Sequence, residues 1–378
     1  MTTVAAPTIH SAGKAASDRV YNFSAGPGVL PEPVLRQAQQ DIWNIQNSGV
    51  GILEHSHRGP VFDKVLAECI DDLREVGNIP ADYDIFFVQG GASSQCFMVP
   101  MNFIRDKAQT ADYFNTGKWA SDSIKEAKLF CNVNVVASSE ATNHDRIPAR
   151  DSWKFSNNPA YLHFTSNNTI FGTQWKAIPT HPSNCPIVCD MSSDFFSKPT
   201  DFSRYDLVYA GAQKNLGPSG VVLVVAKKSL IDSGRDDLPT MLKYKTHARN
   251  ESRYNTPPTF AIYLVGQTAK WLKSFGGLKA MQAYNEEKAA ILYDYLDRSS
   301  FYRGHVQKDS RSLMNVTFKC PTEELDKKFC KEAEKAGLDA LKGHRSTGGM
   351  RASLYNAFPI EGVRALVDFM KRFESQKH

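Results

Sequence analysis

Apolar residues recur along this 378-residue chain at two periods, and the periods alternate. Residues 33–47 set Val34, Leu35, Ala38, Ile42 and Ile45 on one helical face, and residues 62–76 repeat that spacing. Short apolar runs at 84–88, 111–114, 134–137, 161–164, 186–189 and 206–210 read as strands. Helical stretches fall between them at 93–104, where Pro100 is expected to kink or end the helix, and at 121–129. Residues 207–225 run one apolar strand into a turn bearing glycine and lysine, then return in a second apolar strand. Strands alternating with helices predict an α/β fold with a mostly parallel sheet covered on both faces. Residues 238–258 read as loop, and 259–275 as a long helix ended by Gly276-Gly277. A helix over 278–296 leads to a smaller α/β layer. Its parts are strand 314–318, helix 323–337, strand-like 351–355 and helix 362–373.

A chain of this length divides most readily into two domains. The division expected is a large domain over 33–275 and a small domain made of 19–32 and 276–378. Residues 1–18, rich in Ala, Thr and Ser and without an apolar core, are expected to form a disordered tail. Hydrophobic residues make up 42% and charged residues 22%, so the chain is compositionally globular. A net charge of +5, from 45 bases against 40 acids, is too mild for a nucleic-acid surface but allows a local basic cluster. No run of 18 apolar residues exists, which argues against a membrane span. The seven cysteines are scattered through apolar segments with no zinc spacing, so neither a disulfide framework nor a metal site is expected. The compartment expected is cytoplasmic, although the short tail leaves organelle targeting open.

In a parallel sheet, ligands sit beyond the carboxyl ends of the strands. Several chemistry-bearing residues follow strands here and so converge on one rim. Lys214 stands where two apolar strands meet. A desolvated amine is favoured in its neutral, nucleophilic form, which makes Lys214 a candidate Schiff-base lysine. Asp190 ends a strand 24 residues earlier, leaving room for one crossover, so the two can face each other. Gly90-Gly91-Ala92-Ser93-Ser94 follows another strand and precedes a helix, a setting that favours anions. Trp119, after a strand and a glycine, can stack on a ring. A lysine, a carboxylate and a glycine-bordered anion cradle on one rim describe a site for pyridoxal phosphate.

The segments NFSAGPGVLP, EHSHRG, VQGGASSQ, YAGAQKNLGPSG, NTPPTFAIYL and ALKGHRSTGGMRASLYNAFP resemble those of the phosphoserine aminotransferase family, class V, fold-type I pyridoxal phosphate enzymes. The likeness runs from about residue 21 to 373 without large gaps, and YAGAQKN and GHRSTGGMRAS are its most specific parts. It implies a large domain around a mostly parallel sheet of the seven-stranded type, a smaller C-terminal α/β domain, and a homodimer with shared active sites. It implies amino transfer from glutamate to 3-phosphohydroxypyruvate in serine biosynthesis. By the same resemblance Lys214 binds the cofactor as an aldimine, Asp190 pairs with the pyridine nitrogen, Trp119 stacks on the ring, and Thr169 meets its phenolic oxygen. The resemblance assigns the cofactor phosphate to Ala92 and Ser93 through their N–H groups, to Gln213, and to Asn255 and Thr256 of a partner subunit. His57, Arg58, His344, Arg345 and Arg351 are implied to bind the acidic groups of the substrates. Two positions depart from the common pattern: Ser93 stands where many members carry arginine, and Asn168 where many carry an acid.

The same architecture hosts cysteine desulfurases and other aminotransferases, and fold does not fix reaction. A desulfurase needs a nucleophilic cysteine, whereas the cysteines here lie mostly in apolar runs. A nucleotide-binding protein of the P-loop type is excluded by the absence of GxxxxGK followed by Ser or Thr.

Overall fold

A computed structural model describes residues 19–376, so the tail expected at 1–18 lies outside the described residues. The apolar runs become strands of one sheet: β1 Tyr83–Gln89, β2 Thr110–Asn115, β3 Asn132–Ser138, β4 Leu162–Thr165, β5 Ile187–Asp190, β6 Leu207–Gly211 and β7 Val221–Lys227. They stand in the order β1-β7-β6-β5-β4-β2-β3. Strand β7 is antiparallel to both its neighbours, and every other pair is parallel. Strands β1 to β6 therefore end on the same edge.

Strand β7 shows why these runs are continuously apolar. Val221, Leu223 and Val225 join the core on one face of the sheet, while Val222, Val224 and Ala226 join the core on the other. Alternate side chains of a strand point to opposite faces, so a strand covered on both sides needs apolar residues at every position.

The first face is covered by helices α1 Glu32–Trp43, α2 Pro60–Gly77 and, later in the chain, α5 Thr259–Ser274. The second is covered by α3 Gln95–Phe103 and α4 Lys118–Ala127. Helix α2 buries Phe62, Val65, Leu66, Cys69 and Leu73, one stripe at three- and four-residue spacing. Each large apolar side chain so buried contributes about 1.5–3 kcal/mol.

Three local expectations change. Helix α1 stops at Trp43, and Ile42 is 43% exposed while Asp41 is buried in its place. The chain folds back across the helix end. The N–H of Ile52 donates to the carbonyl of Asp41 at 2.9 Å, and a Cβ on Gly51 would lie 1.9 Å from the carbonyl oxygen of Ile42. The Asp41 carboxylate accepts from the Tyr263 hydroxyl and, at 3.0 Å, from Gln37. The helix expected over 93–104 begins as a 3-10 turn, Ala92–Ser94, and then runs through Pro100 to Phe103. The stretch read as loop over 238–258 contains a short helix, Tyr244–Arg249, whose Tyr244 is buried against Phe86 and Phe103.

Helix α6, Gly277–Arg298, leads to a smaller antiparallel sheet of β8 Arg303–Gly304, β9 Asn315–Lys319 and β10 Met350–Ser353, in that order. Helices α7 Glu323–Lys335 and α8 Ile360–Glu374 cover it, with Phe318, Phe329, Leu366 and Phe373 in a core of their own. Phe23 belongs to that core, and Tyr21–Asn22 pairs in parallel with Leu338–Asp339. Among the described residues no helix is long and apolar enough to cross a membrane.

Candidate active site

Strand β6 ends at Gly211, and the chain turns through Lys214 before β7. The Lys214 ammonium donates to Thr169 Oγ1 at 2.8 Å and lies 5.0 Å from the centre of the Trp119 ring. Burial is the main reason its pKa falls from 10.5 to about 8. The charge of Asp190 pulls it up, Arg351 pushes it down and Asp194 pulls it up. The amine is thus able to exchange a proton close to neutrality, as a general acid–base requires. The segment after Tyr21–Asn22 crosses under this turn. The N–H of Gly28 donates to the Gln213 carbonyl at 2.7 Å, and a Cβ on Gly28 would lie 2.8 Å from the Lys214 carbonyl and 2.7 Å from the Tyr355 ring. Only glycine fits there.

Asp190 is buried at the end of β5. Its Oδ1 accepts from both the backbone N–H and the hydroxyl of Ser192, at 2.9 and 2.6 Å. Ser192 Oγ in turn accepts from the Gly211 N–H at 3.0 Å, which ties the carboxylate to the end of β6. The two bonds from Ser192 are the only ones the carboxylate accepts among the described residues, and both fall on Oδ1. Oδ2 can therefore serve a ring N–H.

The neutral amide of Asn168 explains its own departure from an acid. It is buried, accepts from Thr116 Oγ1 at 3.3 Å and donates to Thr173 Oγ1 at 2.9 Å. A Cβ on Gly117 would lie 2.7 Å from Asn168 Oδ1, so the amide seats the turn that delivers Trp119.

Strand β1 ends at Gly90-Gly91, Gly90 taking φ of 104°, and the chain enters the turn before α3. A Cβ on Gly211 would meet Gln213 Oε1 at 2.9 Å, Ala92 Cβ at 3.2 Å and the Ala92 nitrogen at 3.4 Å. These three residues therefore enclose one small cradle. Gln213 Oε1 and the Trp119 indole nitrogen are both buried without a hydrogen-bond partner among the described residues. A turn lined by backbone N–H groups at a helix start suits a phosphate, toward which Gln213 can donate only from Nε2. With the amine, the carboxylate and the ring of Trp119, the residues fit pyridoxal phosphate.

The basic residues divide into two groups. Arg351, on β10, donates from Nη1 to the Thr169 carbonyl at 3.3 Å, and its other N–H groups have no partner among the described residues. Arg351 and Lys214 thus meet on one residue, Thr169. The imidazole of His344 is held below its ordinary pKa, first by burial and then by the charges of Arg351, Arg345 and Lys118. Arg345 is exposed. His57 and Arg58 contact each other, Arg58 Nε lying 3.2 Å from His57 Nε2, and among the described residues no hydrogen bond links them to Lys214. Ser93, Asn255 and Thr256 are exposed. The carbonyl of Thr256 accepts from Gln89 at 2.7 Å, which moors that loop at the end of β1 without bringing it to Lys214.

The structure therefore gathers Lys214, Thr169, Trp119, Asp190, Arg351, Ala92 and Gln213. It leaves His57, Arg58, Asn255 and Thr256 outside that set within one chain. Reading by sequence missed Ser192, Gly28 and Tyr355. The two-residue spacing of Asp190 and Ser192, typical of a side chain bonding its own backbone two residues on, was the one available signal.

All seven cysteines are free thiols, and burial raises every one of them, Cys96, Cys131 and Cys330 to about 11 and Cys185 to about 12. None is poised as the thiolate that a desulfurase needs.

The family model described as aminotransferase class-V matches residues 20–366. The chain is 51% identical over 357 residues to a phosphoserine aminotransferase of Desulfotalea psychrophila, covering 94% of this chain and 98% of that one. A solved phosphoserine aminotransferase from Bacillus circulans subsp. alkalophilus superposes with a TM-score of 0.92 at 50% identity, covering 95% and 99% of the two chains. Another phosphoserine aminotransferase structure, concerned with radiation damage of its Schiff base, matches with a TM-score of 0.91 at 46% identity over 94% and 99%.

Proposed function

The chain belongs to the class-V aminotransferase family, and from that footing we propose that it carries out the phosphoserine aminotransferase reaction. It moves the amino group of L-glutamate to 3-phosphohydroxypyruvate, with pyridoxal 5'-phosphate as cofactor, and yields O-phospho-L-serine and 2-oxoglutarate. The observation that carries this reading is identity near one half, sustained over almost the whole of both chains.

When bound, the cofactor supplies the electron sink that lets an amino group pass between two carbon skeletons. Lys214 would hold it at rest, and the freed Lys214 amine would take the α-proton of glutamate in one half-reaction and give a proton to the α-carbon that becomes phosphoserine's in the other, a task matched to its pKa of about 8. Asp190 faces the ring nitrogen and keeps it protonated by its charge. Trp119 covers the ring, and Thr169 meets the phenolic oxygen. Ala92 and Ser93 offer backbone N–H groups to the phosphate, with Gln213. Arg351 clamps the α-carboxylate that both substrates share, and its free fork suits that geometry. His57, Arg58, His344 and Arg345 hold the far end, a carboxylate on one substrate and a phosphate on the other.

The working unit is a homodimer in which Asn255 and Thr256 reach the partner's cofactor phosphate. Their exposure supports this, as does a group of exposed apolar side chains at the end of α1 and in the segment that follows: Ile42 at 43%, Trp43 at 84%, Val50 at 38% and Leu53 at 57%. Such a group marks a surface that another chain covers. Each chain divides into a large domain over 33–275 and a small domain of 19–32 and 276–378, a division supported by the separate core that unites Phe23 with residues 292–373. Seven unpaired thiols support the cytoplasm as compartment.

The test is transfer of label. With 15N-glutamate and 3-phosphohydroxypyruvate, the purified protein should place 15N in O-phosphoserine, read by mass spectrometry. A protein that carries bound cofactor and still leaves phosphoserine unlabelled would overturn the reading.

A further inference from the structure

Lys288, midway along α6, is fully buried and has no acidic partner among the described residues. Its Nζ donates to the carbonyls of Leu354, Tyr355 and Asn356 at 3.1, 2.7 and 3.5 Å, and lies 4.7 Å from the centre of the Tyr284 ring. Burying an ammonium group is costly unless hydrogen bonds and charge are arranged around it. Here only hydrogen bonds are so arranged, all to one segment, residues 354–356, which continues directly from β10 and therefore from Arg351.

The same segment is held from a second side. Asn285, one turn before Lys288 and also fully buried, donates to Asn356 Oδ1 at 2.8 Å and to the Ser197 carbonyl at 2.9 Å. Asn356 uses its whole amide: its Nδ2 donates to the Phe196 carbonyl at 2.9 Å, and its backbone N–H donates to Asn215 Oδ1 at 2.9 Å. Asn215 donates from Nδ2 to the Phe195 carbonyl at 2.7 Å. Asn215 directly follows Lys214, and residues 195–197 belong to the turn that begins at Asp190. One buried polar network thus joins the strand of Arg351, the turn of Lys214 and the turn of Asp190.

We propose that Asn356, braced by Lys288 and Asn285, is a positioning residue that sets Arg351 against Lys214 through Asn215. This rests on the roles given above to Lys214 and Arg351. Apolar packing holds two elements together but lets them slide. Directional bonds at both ends of an amide fix their register. The pair needs such a fixed register because the α-carboxylate gripped by Arg351 and the α-carbon served by Lys214 lie on one small molecule. A misplacement of about 1 Å at such a site is costly.

The experiment uses the holoenzyme and the Asn356→Ala, Asn215→Ala and doubly substituted proteins. Calorimetry measures the Kd of glutarate, a dicarboxylate without an amino group that binds but does not react. Kinetics measure the glutamate KM and kcat. Each single change should raise the glutarate Kd and the glutamate KM about tenfold, the scale of one or two lost hydrogen bonds. Asn356→Ala removes the side-chain bonds to Asn285 and the Phe196 carbonyl, and Asn215→Ala removes the acceptor of the Asn356 N–H, so the double change should cost less than the product of the two, because the lost bonds belong to one network. Unchanged Kd and KM with a lowered kcat would signify a loss of folded protein only and would overturn the proposal, as would losses that multiply in the double variant. If Asn356→Ala does not fold, Asn285→Ala removes the far brace and leaves the Asn356–Asn215 bond in place. It should raise the glutarate Kd two- to threefold, and a wild-type Kd there would overturn the proposal. Wild-type protein that binds glutarate but makes no phosphoserine would instead strike at the reaction assigned above.

Discussion

The acidity of Lys214 can be tested in the cofactor-free protein. An amine with a pKa of about 8 in the folded state and 10.5 when unfolded stores a defined energy. The gap corresponds to about 3 kcal/mol. Its sign follows from proton binding. Between pH 8 and 10.5 the unfolded chain holds a proton at Lys214 that the folded chain has lost, so stability rises with pH. The contribution is complete above about 10.5 and is lost as pH falls through about 8. Lys214→Met keeps the side chain's bulk and removes the titration. Urea unfolding of both proteins should give a wild-type-minus-variant difference that grows by about 2.5 kcal/mol from pH 7 to pH 10. Other alkaline groups titrate in both proteins and cancel. The neighbours set the direction of finer changes. Asp190→Asn removes a charge that pulls the amine up, so the window should move to lower pH. Arg351→Ala removes a charge that pushes it down, so the window should move to higher pH. A difference that stays flat between pH 7 and 10 would refute the desolvation argument and leave Lys214 an ordinary solvated lysine.

Two other outcomes follow from the site. Arg345→Ala should impair the half-reaction of the phosphorylated substrate about tenfold to a hundredfold more than that of glutamate, since a phosphate depends more on the full cationic set. Arg351→Ala should impair both half-reactions alike, and single-turnover kinetics of each would expose equal losses in Arg345→Ala. Mixing a Lys214→Ala parent with one carrying Asn255→Ala and Thr256→Ala should restore part of the activity, because one site of each mixed dimer then carries neither lesion. No recovery after verified subunit exchange would confine each site to one chain.

Much of this arrangement was legible in the sequence because two simple patterns carry it. Apolar runs at strand length marked β1 to β6. The polar residues that follow them, among them Asp190, Thr169 and Lys214, had to share an edge once the strands were parallel. The direction of β7 was not legible, since a run buried on both faces looks the same whichever way it points. Ile42 misled because its spacing fits the buried stripe of α1, while a distant segment at Gly51 and Ile52 takes over the helix end. The network of Asn215, Asn285, Lys288 and Asn356 left no trace. Its bonds span 20 to 160 residues of sequence, and asparagine has no periodic signature. Tyr244 shows the same limit: its hydroxyl donates to Gln95 at 2.7 Å across 149 residues, a contact that no local pattern announces.

The central claim is that this site takes a phosphorylated keto acid, and the choice among amino acceptors tests it most directly. With glutamate as donor, kcat/KM is measured for 3-phosphohydroxypyruvate, pyruvate and oxaloacetate. The far-end role proposed for His57, Arg58, His344 and Arg345 predicts a preference for the phosphorylated acceptor of at least about a hundredfold over pyruvate, which offers those groups nothing. Oxaloacetate, with a carboxylate at that end, should fall between the two. Equal or better turnover of pyruvate or oxaloacetate would contradict the account.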